Sequence, residues 1–269
     1  MSRSLPKRLY KYQPFSTQAL VNLKLRRVWF SQAAKFNDPF DCALGVKWEE
    51  VTDTELRRLW EAIRGRQGID THSAHAAGYL DDQGHLTEKF RKEVFSGAEQ
   101  TMQTTVHQNR HERGVTCFSE NPNDPLLWAH YGGGHRGFCL EFDTAADWFE
   151  RVYPVRYDDE LPSVNVVDAL MDPGSTRWLD LLLTKAKCWE YENEWRAIHQ
   201  EPDKLYTYDW KHLTGVYLGA LMDSEHQDMI GTLLHGSETQ LYRVEHDPGQ
   251  FTLTAVPVDY TPYQFDTDV

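Results

Sequence analysis

No cysteine pair in this chain is spaced C-x-x-C. The four cysteines, Cys42, Cys117, Cys139 and Cys188, are scattered and read as reduced, mostly buried thiols. No apolar run has membrane-spanning length, and MSRSLPKRLYKYQPF lacks the apolar region of a secretory signal. The expectation is a cytoplasmic chain with no membrane partner. Positive charge is scarce: 28 Lys and Arg against 41 Asp and Glu give a net charge of -13. That balance argues against bulk, non-specific grip on nucleic acid. A local basic groove stays open, because Lys7, Arg8, Lys11, Lys24, Arg26 and Arg27 cluster early. G-x-S-x-G and H-x-E with a later C-x-x-C are missing, and the G-x-G-x-x-G spacing of GGGHRG (132–137) falls in a turn from a helix to a strand, the reverse of a dinucleotide-binding turn. A nucleophile-elbow hydrolase, a simple Rossmann dehydrogenase and a zinc deaminase are therefore unsupported.

Hydrophobic residues make up 40% of the 269 and aromatics 13%, enough for a folded chain with a large core. Ser16 is placed to cap a helix through about Leu25, and RRVWFS then reads as a strand. Thr52 and Glu55 form a capping-box pattern before a helix ending near Gly65. Residues 65–86 read as loop and 87–110 as a long helix. From residue 114 the texture turns to short strands, among them VTCFSE, GFCLEFD, EWRAIH, TGVYLG, QLYRVEH and FTLTAVPV. In GFCLEFD, Phe138, Leu140 and Phe142 alternate with Cys139, Glu141 and Asp143. Asp124 and Pro125 mark a short helix over DPLLWAHY. The expectation is one α+β domain over residues 1–269, with a short-stranded, curved or split sheet and a helical insertion over residues 50–112. Trp29, Phe36, Phe40, Phe118, Trp128, Phe138, Phe142 and Trp195 are expected in the core.

Residues 185–199, KAKCWEYENEWRAIH, hold the sharpest functional signal. Glu192 and Glu194 are one residue apart beside Trp189, Tyr191 and Trp195. If the chain is extended from about Glu192, both carboxylates share one face. Like charges at that distance need a cation, a ligand or a shared proton. The plainer alternative is a solvated strand start with Glu194 paired to Arg196 or Lys187. Gly132, Gly133 and Gly134 lie between His130–Tyr131 and His135–Arg136; they allow a ligand close to the backbone, or simply make a flexible turn. Asn37, Asp38, Pro39, Phe40 and Asp41 are dense turn chemistry that caps amides or gates a pocket. His107 and His111 are four apart on a helix, but Gln108 stands where a zincin motif has Glu, so no metal is assigned.

Four blocks in combination resemble a known bacterial family. They are LYKYQPF (9–15), VWFSQAAKFNDPFD (28–41), VTCFSENPNDPLLWAHYGGGHRGFCLEFD (115–143) and KCWEYENEWRAI (187–198). The family is the domain of unknown function 2971, which brings no activity with it. The block order is also similar, more distantly, to ADP-ribosyltransferase toxins. That resemblance implies NAD as substrate, an acceptor that is protein or nucleic acid, and a role in toxicity or phage defence. It implies Glu194 at the ribose, Glu192 at the acceptor and Ser31 on the second-motif strand. A clear first-motif Arg or His is absent, and Lys11 or Arg8 stands in its place. Tyr12, Trp29, Asn37, Asp38, His130, Tyr131 and Arg136 are the implied cofactor-binding set. Two alternatives stand beside it. One is a metal-dependent nuclease using Glu141, Asp143, Glu192 and Glu194; the other is a non-catalytic nucleotide- or protein-binding module.

Overall fold

Local signals start most of the helices where they stand. Ser16 accepts a hydrogen bond from the Ala19 amide, and Thr52 with Glu55 closes a full capping box. Asp124 accepts from the Leu126 and Leu127 amides ahead of Pro125. The computed structural model describes residues 3–43, 45–46, 51–171 and 178–261. The elements run β1 (Arg8–Gln13), α1 (Thr17–Lys24), β2 (Arg27–Gln32), β3 (Gly45–Val46), α2 (Asp53–Gln67), α3 (Thr71–Ala76) and α4 (Glu88–Glu112). They continue with β4 (Gly114–Ser119), α5 (Pro125–His130), β5 (Phe138–Asp143), β6 (Val152–Pro154), β7 (Arg156–Asp158), β8 (Ser163–Val164) and α6 (Val166–Met171). The last are α7 (Trp178–Leu183), β9 (Thr184–Ala186), β10 (Glu194–His199), β11 (Lys204–Thr207), β12 (Leu213–Leu218), α8 (Ser224–Leu234), β13 (Gln240–His246) and β14 (Leu253–Val258).

The chain divides into two units. The first comprises Met1–Gln32, Gly114–Val155 and Cys188–Val269. It holds a ten-stranded sheet in the order β11-β2-β4-β1-β5-β12-β13-β14, with β10 beside β4 and β6 beside β10. Among the described pairs of that sheet, β12 and β13 are parallel and the others antiparallel, so the fold is α+β and not doubly wound. Directly opposed residues share a face. Leu9 faces Phe142 and Lys11 faces Leu140, while Val216 meets Leu140 and Leu218 meets Phe138. That face carries the main core, closed by Ala19 and Leu23 of α1 and Ile230 and Leu234 of α8. Phe118, Phe138, Phe142 and Trp195 are all buried there. The opposite face packs Cys139, Tyr217 and the fully buried Trp128 of α5.

The second unit comprises Ala33–Arg113 and Arg156–Lys187. Its core gathers Leu56, Leu59 and Trp60 of α2, Ala74 of α3, and Phe90, Val94 and Ala98 of α4. Trp60, Tyr79 and Phe90 meet edge to face. The helices expected between residues 50 and 112 belong to this unit, which also takes in the flanking and the 156–187 segments.

The structure changes one helix and three core positions. Residues 71–76, expected in a loop, form α3 under an Asp70 cap. Trp29 is 40% exposed and Phe40 66%; Trp29 alternates with the buried Val28 and Phe30, so parity turns it away from the main core. Phe36 is half-buried. Of the cysteines, Cys42 and Cys139 are buried, Cys117 is half-buried and Cys188 is exposed.

Candidate functional site

One edge of β4 is shared by two strands that do not meet. Along its other edge β4 pairs with β10 over its full length, from Glu194 opposite Ser119 to His199 opposite Gly114. Along this edge Ser31 and Gln32 of β2 pair with Val115 and Gly114, and Tyr10 of β1 pairs with Ser119. Among the described residues, 116–118 between them have no strand partner on that edge, so the sheet splits there. The link from β1 to β2 runs through α1. Lys11 Nζ donates to the Cys117 carbonyl at 3.3 Å, which meets an acceptor that the missing ladder leaves over. Its ammonium also lies 5.5 Å from the Phe118 ring centroid. Burial pushes the Lys11 pKa down, against the raising effect of Cys117 and Glu194.

The register puts Tyr10, Ser119 and Glu194 in one row, continued by Glu141 on β5. Ser31, Cys117 and Arg196 share that face by alternation. The face is acidic and tyrosine-rich, and its charges are matched locally. Arg196, with no exposed surface, donates from Nε to Glu194 Oε1 at 2.7 Å and from Nη2 to Oε2 at 3.0 Å. The two residues are two apart on β10, so one strand face presents both halves of the pair. The Cys117 thiol opposite Arg196 is raised by burial and then by Glu194. At the other end of the row, Glu141 accepts from Thr214 Oγ1 at 2.6 Å and from the Tyr217 hydroxyl at 2.7 Å. Burial, then Glu141, pushes Tyr10 up to about 12.

The two glutamates do not share a strand face. Glu192 ends a 3-10 helix, Lys187–Glu192, and Asn193 at φ 44° turns the chain before β10 begins at Glu194. Glu192 is 3% exposed and accepts from the Tyr131 hydroxyl at 2.9 Å, while its carbonyl accepts from Ser119 Oγ at 2.7 Å. Glu192 accepts a hydrogen bond from Tyr131 and Glu194 accepts two from Arg196, which relieves the expected strain between neighbouring carboxylates. The surface ion pair weighed against it is also revised: the partner is Arg196, but the pair is buried. Arg196 enters the sequence reading only as a surface partner in the plainer alternative, and the structure puts it at the centre; the alternation Glu-Trp-Arg-Ala is the signal that marks it.

Ser31 lies on the same face as Glu194, two strands across and four residues along, roughly 16 Å by strand spacing. Trp29 flanks it on β2. Tyr12 packs edge to face on Trp128 with centroids 5.1 Å apart, and its hydroxyl donates to the Asn121 carbonyl at 2.7 Å. The His130 ring is 5.7 Å from that of Trp189. Arg136 is exposed and donates into its own turn, to the Gly134 carbonyl. A Cβ at Gly132 would sit 2.5 Å from the Trp128 ring, and one at Gly137 2.1 Å from the Gln13 carbonyl oxygen. Close packing therefore accounts for small residues in this turn. Asn37 and Asp38 fall in the second unit, where Asp38 Oδ1 accepts from the Phe40 amide at 2.9 Å. His107 and His111 stack on α4 with centroids 4.3 Å apart.

Glu141 and Glu194 lie three strands apart, about 14 Å. Asp143 is held by Arg8 at 2.9 Å. Among the described residues no three His, Cys, Asp or Glu side chains gather as a metal site, and no helix is long and apolar enough to cross a membrane. Residues 127–197, from α5 through the Glu194–Arg196 pair, match the family described as protein of unknown function (DUF2971). This shows the family resemblance over that segment. No curated protein and no solved structure matches the chain.

Proposed function

We propose that this chain is an NAD-using ADP-ribosyltransferase-like protein, serving as a bacterial toxin or a phage-defence factor and acting on a protein or nucleic-acid acceptor. The observation that carries the reading is the split at β4. Tyr12 and Ser31 sit on the two strands that flank it, Glu194 lies on the strand across it, and all three share one face. The nuclease alternative needs Glu141 to converge with Glu194, and the two are three strands apart, with Glu141 already claimed by Thr214 and Tyr217.

In the proposed reaction the bond between ribose C1′ and the nicotinamide nitrogen breaks, and the neutral nicotinamide leaves with the bonding pair. The acceptor's nucleophile bonds to C1′, and its proton passes to Glu192. Glu194 faces the sugar as positive charge develops there. Tyr12, Tyr131 and Trp29 offer stacking surfaces for the two rings. Lys11 lies on the core face behind the split and bears on the site only through its charge and its hydrogen bond to the Cys117 carbonyl. Arg196 neutralises Glu194 in the free chain. Turnover therefore requires a ribose hydroxyl to displace one of the two guanidinium hydrogen bonds.

The test is incubation of the full chain with NAD labelled in its ADP-ribose part, alone and with total cell lysate. Nicotinamide release and labelled macromolecule support the proposal. Ser31→Ala and Glu192→Gln, with folding checked by circular dichroism, should each lower turnover. An absence of NAD consumption by the wild-type chain with every acceptor offered would overturn it.

A further inference from the structure

We propose that the face of the sheet opposite Glu194 holds a second binding site, for a small organic cation that carries a flat aromatic ring. It rests on no part of the transferase reading. A cavity of about 450 Å³ opens over β2, β10 and β11, within the range of small-molecule sites. Phe30, Tyr206 and His199 are among its lining side chains. The register turns all three to one side, since Tyr206 opposes Val28 on β11–β2, and His199 and Gln32 both oppose Gly114.

The rings are arranged to receive another ring. Phe30 and Tyr206 are 4.9 Å apart at 75°, and His199 and Tyr206 are 4.4 Å apart at 52°. His199 Nδ1 accepts from the Glu201 amide, and Nε2 contacts the Tyr206 hydroxyl at 2.7 Å. The imidazole is thus fixed by its neighbours as a wall of the cavity. Tyr208 also lines the cavity; it is 5% exposed, and its buried hydroxyl has no hydrogen-bond partner among the described residues. Buried hydroxyls are nearly always paired, so a polar ligand atom or ordered water belongs near it.

The charge of the ligand follows from the rim. Asp147, Glu150 and Arg151 line the mouth on a 3-10 helix, Asp147–Arg151. All three are exposed, and neither carboxylate has an ion-pair partner among the described residues. Two carboxylates against one guanidinium attract a cation and repel phosphate or carboxylate. Aromatic faces below such a rim add a cation–π contribution.

Two probes with one ring and opposite charge decide the matter: tryptamine and indole-3-acetate, titrated into the full chain by calorimetry. Tryptamine should bind, and indole-3-acetate about tenfold more weakly or not at all. The double variant Asp147→Asn, Glu150→Gln changes only exposed positions and should bring the two affinities to within about threefold. Tyr208→Phe should melt no lower than wild type and bind tryptamine about two- to tenfold more weakly, the usual worth of one hydrogen bond. Equal affinities for the two probes, an unchanged preference in the double variant, or no saturable tryptamine binding up to millimolar concentration would each overturn the proposal.

Discussion

Glu194→Gln is the ordinary test of a catalytic carboxylate, and in this chain it should damage the fold. Arg196 is fully buried and spends two N–H groups on Glu194, at 2.7 and 3.0 Å. Glutamine keeps one acceptor oxygen but turns an amide N–H₂ towards the other donor and removes the charge. The buried guanidinium then loses its charged partner on β10, and breaking such a buried pair from one side costs about 3–5 kcal/mol. Against a total stability of about 5–15 kcal/mol this is a large fraction. Measured as a midpoint of thermal unfolding, it is a fall of roughly 10 °C. A double-mutant cycle separates the pair from its surroundings: Glu194→Gln, Arg196→Met, and both together, followed by urea unfolding. Each single change should destabilise strongly, and the double should lose clearly less than the sum, because removing both charges leaves neither one stranded. If Glu194→Gln unfolded at the wild-type midpoint, the buried pair would not exist as described. Loss of turnover in that variant could then be read as catalytic without a stability correction.

Trp128→Ala, at a fully buried ring that donates to the Pro122 carbonyl, should cost about 3–5 kcal/mol, whereas Phe40→Ala, at a 66% exposed ring, should stay within about 0.5 kcal/mol; overlapping urea curves for the two would contradict the burial. Gly137→Ala would drive a Cβ to 2.1 Å from the Gln13 backbone oxygen, so a loss on the order of 3 kcal/mol or more is expected, and a melting point unchanged within 2 °C or so would refute the close approach. Lys11 has its pKa lowered by burial from the ordinary 10.5. Between that lowered value and 10.5 the unfolded chain binds the proton more tightly, so stability rises with pH across the window, and the full penalty applies below it. Lys11→Met should therefore raise the urea midpoint at pH 7, with a gain that shrinks towards pH 10.5; parallel pH profiles for variant and wild type would rule this out.

Much of the fold was legible because it is locally specified. Ser16, Thr52 with Glu55, and Asp124 each satisfy amides within three residues, so their helices follow from short-range chemistry. The alternation of Phe138, Leu140 and Phe142 reported the core face of β5 correctly, because a strand between two neighbours has no freedom to slip without exposing all three. α3 was missed because its start signal is the lone Asp70 and its six residues bury little beyond Ala74. The strand β11 carries KLYT, too short for a period to show. Trp29 and Phe40 lie in patterned blocks and have the size of core residues, and neither property fixes parity.

The candidate site was legible in its residue types and not in its pairing. Face assignment by alternation requires knowing the first residue of the strand, and at Glu192-Asn193-Glu194 that boundary lies between the two carboxylates. One left-handed residue, Asn193, turns a strand-like spacing into two separate environments. Nothing in the composition marks Asn193 as that turn, although Asn tolerates the conformation better than most residues. The split at β4 is equally invisible locally, since it depends on which strands meet 116–118 from positions about a hundred residues away. A sequence can therefore reveal that Glu194 and Ser31 share a face once both strands are found. Their separation of roughly 16 Å, and hence the size of any substrate that touches both, is set by the split itself. A dinucleotide has that reach and a single nucleobase does not. If Ser31 and Glu194 serve one reaction, the substrate must be extended across the split.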